Sequence, residues 1–525
     1  MPIRFHNTLT HRVEEFAPAT PGAVRMYNCG PTVYSSPHIG NFRTFLLGDL
    51  LRRFFEWKGF AVTQVMNVTD VGHLLEDAEE GEDKLEAAAR KEKVRATEIA
   101  QRYTDEFFAA LEFLGFKRAH HYPKATEHVP EMLAMIQTLI AKGVAYAVPS
   151  GNVYYDISRF PAYGRLSGNT AENLEAGARI EVNPEKRDPR DFALWKVDPR
   201  HQMQWDSPWG RGFPGWHIEC SAMSKKYLGE TLDVHTGGED NVFPHHECEI
   251  AQSEAANGRT FVRYWLHARH LLVDGTKMSK RLGNVHTIAE LKTKGSSSDA
   301  IRIALQKSHY REPLNFTLAG LEEAEKKVAR YRNVASRLLA AASDAPASKG
   351  VEELVAALRA KFEAALDDDL NASVAFAVLD EAVAEANRRE PAKGDARRWR
   401  ELLQEMWGVF GLLHTQTIQP RGIASTATVF EPTVTGGAPP ATSRSAGLGA
   451  DVVIIGTADL TLQPEVLELA RARWQARAKK DFPAADRARE ELARRGFREV
   501  KDAKSGMTLV RNEGTITIPA SMLGA

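Results

Sequence analysis

Two thiols, an imidazole and a carboxylate are the side chains in this sequence best suited to holding a metal ion. Cys29 and Cys220 are two of its three cysteines, and the segment 243–249 adds two histidines, two glutamates and the third cysteine. If a helix begins at the proline of that segment, His245 and Glu249 are four positions apart and share one face. Thiolate, imidazole and carboxylate ligands together favour tetrahedral zinc.

Spacing alone leaves the ligand set open. Cys248 lies three positions after His245 on nearly the same face, and His246 could instead pair with Glu249. A lone cysteine is often only a small buried apolar residue, and a glutamate on a helix often faces water. From the residue types alone, a metal site and ordinary packing are both open.

Phosphate binding is the second chemistry that the sequence indicates. Two serines and a proline ahead of His38 supply the cap and first turn of a helix, whose unpaired N–H groups favour an anion. His38 and Asn41 share one face and can both donate hydrogen bonds. Lys277 and Lys280, predicted to lie on a loop after the turn Asp274-Gly275, can meet developing phosphate charge. The alternatives are a capped helix with a surface histidine and a loop of solvated lysines.

The pattern of apolar residues predicts the elements that position these segments. Residues 23–26 form a predicted strand, apolar spacing from Phe45 to Phe54 predicts a helix, and residues 61–68 form a second strand. This is a βαβ crossover, and ligands bind at the carboxyl ends of such strands. Residues 23–290 continue as strand-like and helical patterns, which predicts an α/β region.

Length and composition indicate a large globular protein. A chain of 525 residues, 43% hydrophobic and 26% charged, is long enough for roughly three domains. The formal net charge of -1 gives no global attraction to nucleic acid. Three scattered cysteines do not make a disulfide framework. Because no apolar stretch is long enough to span a membrane and the start lacks a signal-peptide core, we expect a cytoplasmic protein without membrane contact.

Shifts in composition divide the chain into five predicted regions. Residues 1–290 form the α/β catalytic region, and residues 291–345 form a helical bridge. Repeated Leu, Ala and Val predict a helical bundle over 346–414. Residues 415–463 are rich in Thr, Ser, Gly, Pro and Ala, which predicts a flexible linker or insertion. The last region, 464–525, contains two basic helices and a short β-like tail.

The phosphate-binding segments and their surroundings resemble one enzyme family. The segments 38–41 (His-Ile-Gly-Asn) and 277–281 (Lys-Met-Ser-Lys-Arg) resemble the paired HIGH and KMSKS signatures of class I aminoacyl-tRNA synthetases. The segments 26–34, 215–223 and 243–253 are similar to the cysteinyl-tRNA synthetases, and the likeness runs nearly end to end. The resemblance implies a Rossmann-like parallel-sheet catalytic domain, a helical bundle and a small C-terminal anticodon-binding unit.

The resemblance also implies the ligands of the metal. By position, the zinc ligands of the family fall on Cys29, Cys220, His245 and Glu249, and Cys248 is set aside. One zinc ion per chain would take the substrate sulfur as a further ligand and so separate cysteine from serine. Magnesium would accompany ATP.

Further site residues follow from the same resemblance. The residues implied in catalysis are His38, Asn41, Lys277 and Lys280. Those implied in ATP binding are His38, Asn41, Gly237, Gly238, Asp240 and Lys280. Thr69 and Trp216 would lie beside the bound amino acid. From the residues alone, Thr69 and Trp216 fit ordinary packing and the glycines fit a simple turn.

The implied reaction joins L-cysteine to tRNA(Cys) through a cysteinyl-adenylate, in an enzyme expected to be a monomer. The last helices are rich in arginine and lysine, and in this family the carboxyl-terminal part reads the anticodon. Two competing functions are a cysteine ligase acting on an amino sugar, as in mycothiol synthesis, and a non-catalytic zinc-bearing RNA-binding paralogue. The basic helices after Pro464 argue against the first, and Lys277 and Lys280 argue against the second.

Overall fold

The computed structural model describes most of the chain. The described residues are 2–73, 83–169, 183–278, 282–388, 393–413, 453–456, 464–479, 481–495, 497, 499–503, 506–511 and 514–519. They belong to two compact units, Met1–Gly411 and Leu412–Ala525. The finer division into five regions stays a prediction.

The strands of the described residues are short and number seventeen. In chain order they are β1 (Arg4–Asn7), β2 (Arg12–Glu15), β3 (Ala23–Asn28), β4 (Ala61–Met66), β5 (Ala145–Ala147), β6 (Val153–Tyr155), β7 (Phe192–Lys196), β8 (Phe213–Pro214), β9 (Leu232–Gly238), β10 (Val262–Ala268), β11 (Leu271–Val273), β12 (Thr276–Lys277), β13 (Leu314–Phe316), β14 (Val453–Gly456), β15 (Glu499–Ala503), β16 (Gly506–Arg511) and β17 (Gly514–Pro519).

Helices make up most of the remaining regular structure. In chain order the described α-helices are α1 (Ile39–Trp57), α2 (Lys84–Glu92), α3 (Ala96–Phe113), α4 (Val129–Ala141), α5 (Trp216–Leu228), α6 (Glu247–Asn257), α7 (Ile288–Thr293), α8 (Ser298–Gln306), α9 (Leu318–Ala341), α10 (Lys349–Asp367), α11 (Ala372–Arg388), α12 (Lys393–Phe410), α13 (Pro464–Ala478) and α14 (Phe482–Arg494). Among the described residues, no helix is both long enough and apolar enough to cross a membrane.

The first unit is built on a four-stranded parallel sheet in the order β10-β9-β3-β4. Helix α1 connects β3 to its parallel neighbour β4, and its apolar residues from Phe45 to Phe54 are buried. The first six residues of β9 are also buried, as expected for strands of a parallel sheet. The predicted βαβ crossover and the predicted α/β class are confirmed.

An antiparallel sheet in the order β5-β6-β7-β8 is inserted between β4 and β9. Its buried residues Tyr155 and Trp195 pack in one core cluster with Met132 of α4, Ile218 of α5 and Ala251 of α6. The insertion therefore supports the two helices, α5 and α6, that carry predicted metal ligands.

A third sheet, in the order β12-β11-β13, follows the main sheet. Strands β11 and β12 form a hairpin whose two turn residues, Asp274 and Gly275, have positive φ angles of 49° and 75°. Positive φ angles at both turn residues give a turn whose twist matches that of the two strands it connects. Lys277 consequently lies in a short strand, and the prediction of a loop at this position is wrong.

A buried arginine links helix α1 to the helical part of the first unit. Arg302 of α8 is fully buried and pairs with the buried carboxylate of Asp49 in α1. It also donates to the carbonyl oxygens of Leu114 and Phe410, at 3.1 and 2.9 Å. Because a buried charge is costly without partners, this set of bonds fixes how α8 and α12 pack on α1.

The second unit contains an antiparallel sheet in the order β14-β17-β16-β15 and the helices α13 and α14. Its small apolar core includes Val466, Leu467, Leu492, Phe497 and Leu509. Strand β14 falls within the predicted linker 415–463, most of which lies outside the described residues.

Candidate active site

The carboxyl ends of three neighbouring parallel strands bring predicted site residues to one edge of the central sheet. Cys29 directly follows β3, and its N–H donates to the carbonyl of Thr236 in β9 at 3.0 Å. Thr69 lies three residues beyond β4, and its N–H donates to the carbonyl of Pro31 at 3.0 Å. This is the edge at which open α/β sheets bind ligands.

Four buried side chains form a donor group at this edge. Cys29 follows β3, Cys220 lies in α5, His245 lies in the turn before α6, and Glu249 lies in the first turn of α6. One ligand atom from each residue lies within 4.8 Å of those of the other three. His245 Nε2 and Glu249 Oε1 are 3.0 Å apart. The structure therefore brings together the four residues that the resemblance implies as zinc ligands.

The helix that carries Glu249 begins later than predicted. Helix α6 starts at Glu247 rather than near Pro244, after an irregular turn, Val242–His246, in which Phe243 has extended backbone angles. His245 thus belongs to the turn, yet it keeps its contact with Glu249.

The donor group fits a metal ion better than it fits hydrogen-bonded packing. Glu249 Oε1 is buried and has no hydrogen-bond partner among the described residues, although His245 Nε2 is close by. Hydrogen bonding to Cys29 and burial raise the pKa of the Cys220 thiol well above its ordinary value. The hydrogen bond with Cys220 lowers the pKa of Cys29, but burial and the Glu249 carboxylate outweigh it and raise this pKa. A divalent cation would offset the cost of holding both sulfurs as thiolates.

A second, overlapping group of buried donors surrounds the same thiol. It consists of Cys29, His235, His246 and Glu249. His246 Nε2 lies 3.2 Å from Cys29 Sγ, and His246 Nδ1 lies 2.7 Å from His267 Nε2. His246 Nε2 is 3.9 Å from Glu249 Oε1, farther than the nearest His245 nitrogen. His246 is therefore placed to orient Cys29 more than to pair with Glu249.

Cys248 lies in a different environment from the other two cysteines. It is buried in the core cluster of the inserted sheet, and its Sγ is 3.4 Å from the hydroxyl of Tyr163. It belongs to neither donor group around Cys29 that the described residues form.

The two residues implied beside the amino acid both adjoin the donor group. The ring of Trp216 lies 4.4 Å from that of His245. The hydroxyl of Thr69 donates to Glu219 Oε2 at 3.0 Å, and Glu219 immediately precedes Cys220. Their contact with a substrate stays a prediction.

The two segments predicted to bind phosphate approach each other at their described residues. The N–H of Ile39 donates to the carbonyl of His286, five residues after the lysine segment, at 2.9 Å. A Cβ atom at Gly40 would lie 2.5 Å from Cε of Met278. The glycine thus lets the lysine segment approach the start of α1.

His38 and Asn41 form a capping box at the start of α1. The N–H of His38 donates to Asn41 Oδ1 at 3.0 Å, and the N–H of Asn41 donates to His38 Nδ1 at 3.4 Å. Because Nδ1 accepts a hydrogen bond, the neutral imidazole of His38 carries its proton on Nε2. Each side chain keeps a donor group that is not used in the cap.

The two lysines of the second segment differ in what the structure describes. Lys277 is exposed in β12, and its carbonyl accepts from Asn284 Nδ2 at 3.3 Å. Lys280 lies outside the described residues, as do Ser279 and Arg281. The catalytic roles of both lysines stay predictions.

The residues implied in adenosine binding follow the end of β9. A Cβ atom at Gly237 would lie 2.5 Å from Cε1 of His246, so the ring behind Cys29 requires a glycine here. Gly238 ends β9, and the side chain of Asp240 is 80% exposed in the next turn. Contact with the nucleotide stays a prediction.

Sequence reasoning missed two buried polar residues beside Thr69. Glu219 is fully buried, and its Oε1 lies 2.6 Å from His73 Nε2. The available signal was a glutamate next to Cys220 in a segment rich in site residues.

Comparison with known proteins agrees with this geometry. The family described as "tRNA synthetases class I (C) catalytic domain" matches residues 15–326, and the DALR domain family matches residues 361–414. A protein of Chlorobaculum tepidum called cysteine–tRNA ligase is 40% identical over 513 residues, which cover 96% of this chain and 98% of that protein. The chain belongs to the cysteine–tRNA ligase family. These enzymes are class I aminoacyl-tRNA synthetases.

Other members and more distant structures agree with this assignment. A cysteine–tRNA ligase of Thermus thermophilus is 44% identical over 429 residues, which cover 80% of this chain and 88% of that protein. Methionyl-tRNA synthetase of Mycobacterium tuberculosis, solved with methionyl-adenylate, superposes with a TM-score of 0.55 at 15% identity. The superposition covers 74% of this chain and 89% of that one, and it shows a shared class I fold. All site residues named above fall within the catalytic-domain match, 15–326.

Proposed function

We propose that the chain attaches L-cysteine to tRNA(Cys) in two steps, through a cysteinyl-adenylate. One observation carries the proposal: four buried donor residues lie at the sheet edge that also holds the capped turn 38–41, namely Cys29, Cys220, His245 and Glu249. A thiol-selecting group beside a phosphate-binding turn is what activation of cysteine by ATP requires. Relatives called cysteine–tRNA ligase that match 96% of the chain support the same function.

Zinc, one ion per chain, is proposed to occupy the donor group. When bound, zinc lowers the pKa of a coordinated thiol and favours a thiolate over a neutral hydroxyl, so that cysteine is preferred to serine. The chain's own contribution is to hold the ligands in a site that excludes water. His217 Nδ1 lies 2.8 Å from His245 Nδ1 and orients this imidazole.

The start of α1 and the lysine segment are proposed to bind the phosphates of ATP. The dipole of the helix favours an anion at its start, and the side chains of His38 and Asn41 add hydrogen-bond donors. Lys277 and Lys280 would meet the negative charge that passes to pyrophosphate, with magnesium bound to the nucleotide. The cysteine carboxylate attacks the α-phosphorus and the bond to pyrophosphate breaks, so no protein nucleophile is needed.

The neighbouring residues are proposed to bind the rest of the substrates. Gly237, Gly238 and Asp240 would contact adenosine at the end of β9. Thr69 and Trp216 would contact the amino acid, because both adjoin the donor group.

The basic helices of the second unit are proposed to contact tRNA. The side chains of Arg477, Lys479, Arg487 and Arg489 are exposed on or next to α13 and α14, where they can meet phosphates. Arg473 differs, because it is buried and donates to the carbonyl of Ala485 at 2.9 Å, which holds the two helices together. Residues 291–345 would contact the acceptor stem. We also propose that the enzyme is a monomer and acts in the cytoplasm.

Cysteine-dependent exchange of pyrophosphate into ATP, followed by charging of total tRNA, tests this function. We expect exchange with cysteine, little exchange with serine, and charging of tRNA(Cys) alone. Exchange without charging would favour the ligase that acts on an amino sugar. If both activities are missing from zinc-loaded protein, the RNA-binding paralogue is favoured and the proposal fails.

A further inference from the structure

A chain of hydrogen bonds runs between the backbone next to Cys29 and the residue next to Cys220. The N–H of Gly30 donates to Asn67 Oδ1 at 2.9 Å, and Asn67 Nδ2 donates to the hydroxyl of Thr69 at 3.1 Å. The Thr69 hydroxyl donates to Glu219 Oε2 at 3.0 Å, while His73 Nε2 lies 2.6 Å from Glu219 Oε1. Apart from Gly30, which is half-buried, each member of this chain is at most 9% exposed.

The two ends of the chain fix the direction of every hydrogen bond. A backbone N–H can only donate, so Gly30 places the oxygen of the Asn67 amide and leaves its NH2 group facing Thr69. A carboxylate only accepts, so the proton of the Thr69 hydroxyl points to Glu219. Thr69 Oγ1 therefore has its donor and one acceptor lone pair occupied. Its other lone pair can only accept a hydrogen bond.

An acceptor at this place distinguishes among the groups of an amino acid. A cysteine whose sulfur is bound at Cys29 and Cys220 offers one hydrogen-bond donor, its α-ammonium, because its carboxylate can only accept. Asp70, the acidic residue next to Thr69, is turned toward a different partner. Each of its carboxylate oxygens accepts one hydrogen bond from Thr126, from the N–H at 2.9 Å and from the hydroxyl at 2.7 Å.

We propose that Glu219, held by His73, orients the hydroxyl of Thr69 as an acceptor for the α-ammonium of the amino-acid substrate. The inference rests on the proposed activation of cysteine and adds two positioning residues to it. Glu219 acts through Thr69, and its negative charge also favours an ammonium nearby. His73 contacts the other oxygen of the carboxylate and keeps Glu219 Oε1 turned away from Thr69. The centre of the His73 ring is 6.4 Å from that of Trp216.

Glu219→Gln tests the orientation directly. If the Gln oxygen still accepts from His73, its NH2 group faces Thr69 and donates, so the Thr69 proton turns toward the substrate. We expect the KM for cysteine in pyrophosphate exchange to rise about 10- to 100-fold, the usual worth of a hydrogen bond to a charged group. The KM for ATP should stay within about twofold, because the phosphates contact other residues.

Mercaptopropionate, which is cysteine without its amino group, separates positioning from a general structural effect. As a competitive inhibitor it keeps the thiol and the carboxylate but offers no ammonium, so its inhibition constant should be unchanged in Glu219→Gln. Thr69→Ser keeps the hydroxyl and should keep most of the cysteine affinity, whereas Thr69→Val should lose it. His73→Ala should shift the KM for cysteine in the same direction, and it keeps the test usable if Glu219→Gln does not fold.

Asp191→Asn is a matched control. This buried carboxylate also accepts from a hydroxyl, that of Tyr146 at 2.6 Å, but it directly precedes β7 of the inserted sheet. Its KM for cysteine should not change. The inference is overturned if Glu219→Gln loses affinity for cysteine and mercaptopropionate equally, or if this variant loses zinc. In either case, cysteine-dependent exchange by the unmodified protein still supports the proposed function. If the unmodified protein itself shows no cysteine-dependent exchange, the proposed function fails as well.

Discussion

Two buried cysteines of the first unit, Cys220 and Cys248, differ in what surrounds their sulfur atoms. Cys220 faces the thiol, imidazole and carboxylate of the donor group, whereas Cys248 faces Tyr163 in an apolar core. We predict that Cys220→Ala reduces bound zinc from one ion per chain to nearly none. Cysteine-dependent exchange should fall by more than the roughly 10- to 100-fold typical of losing an outer partner of a metal. Atomic emission on purified protein measures the first effect.

Cys248→Ala is the matched control, since it removes a buried thiol of the same unit and should leave zinc and exchange intact. If both variants keep zinc, the four-residue ligand set is wrong. If both lose it, the effect is on folding rather than on metal binding, and a melting curve of each variant identifies that case.

The residue types of the donor group could be read from the sequence, but its geometry could not. Two thiols and a histidine four positions before a glutamate indicate a metal, yet spacing did not separate His245 from His246 or exclude Cys248. The choice depends on the irregular turn Val242–His246, which is fixed by packing rather than by local spacing. The roles of Glu219 and His73 could not be predicted either, because their hydrogen-bond partners come from distant segments of the sequence.

At the scale of elements, the start of α1 combines a helix cap with a proposed phosphate site, and substitutions at Asn41 can separate the two. Asn41→Ala removes the side-chain oxygen that accepts from the N–H of His38, which should cost about 0.5–1.5 kcal/mol of stability, the usual worth of one hydrogen bond. Asn41→Asp keeps that oxygen, so its melting temperature should stay near that of the unmodified protein. Its added negative charge should nevertheless lower the exchange rate by repelling phosphate.

Thermal unfolding and pyrophosphate exchange on both variants check this prediction. An Asn41→Asp protein that exchanges at the normal rate would remove Asn41 from the phosphate site and leave it only a capping role.

Helix α2 begins with an ion pair that should make stability depend on pH. Asp83 caps α2 by accepting from the N–H groups of Leu85 and Glu86, and its Oδ2 lies 3.1 Å from His201 Nε2. Burial opposes the charged imidazole of His201, but the hydrogen bond and charge of Asp83 outweigh it and raise the pKa of His201 above 6.5. Because the pKa of His201 is higher in the folded than in the unfolded state, its charged imidazole stabilises the folded protein fully below pH 6.5. This stabilisation is lost as the pH rises through the folded-state pKa.

We therefore predict that His201→Gln lowers the melting temperature more at about pH 6 than at about pH 9. Asp83→Asn keeps a capping oxygen but removes the charge, and it should flatten the pH dependence in the same way. A His201→Gln defect of equal size at both values of pH would show that the imidazole is not charged in the folded protein.

The elements of the first unit were predictable where their apolar spacing is local. β3, α1 and β4 followed from periodicity, because each buries one continuous run or one helical face. The hairpin β11–β12 was not recognised, although Asp274-Gly275 is a strong turn signal, because β12 has only two residues and depends on pairing with β11. Lys277 was consequently assigned to a loop.

At the scale of the whole molecule, the proposed reaction site and the proposed tRNA-binding helices belong to two different compact units. The first contains every residue proposed to act on cysteine and ATP, and the second has its own core beneath α13 and α14. Steps that need only the first unit should therefore be insensitive to surface changes in the second. The net charge of -1 does not reveal the basic surface of α13 and α14, because acidic residues in these helices and elsewhere in the chain offset it.

The exposed arginines of α14 provide the test of this division in the full-length protein. We predict that the double variant Arg487→Glu, Arg489→Glu keeps cysteine-dependent exchange and loses charging efficiency for tRNA. Each lost phosphate contact removes about 0.7–0.9 from the slope of log affinity against log salt, so two contacts should lower the slope by about 1.5. Charging kinetics measured at several salt concentrations give this slope.

The double variant Arg487→Lys, Arg489→Lys is the control, because it keeps the charge and should keep the slope. A slope that is unchanged in the glutamate variant would place the tRNA contacts elsewhere, whereas a loss of exchange would mean that the two units do not act independently.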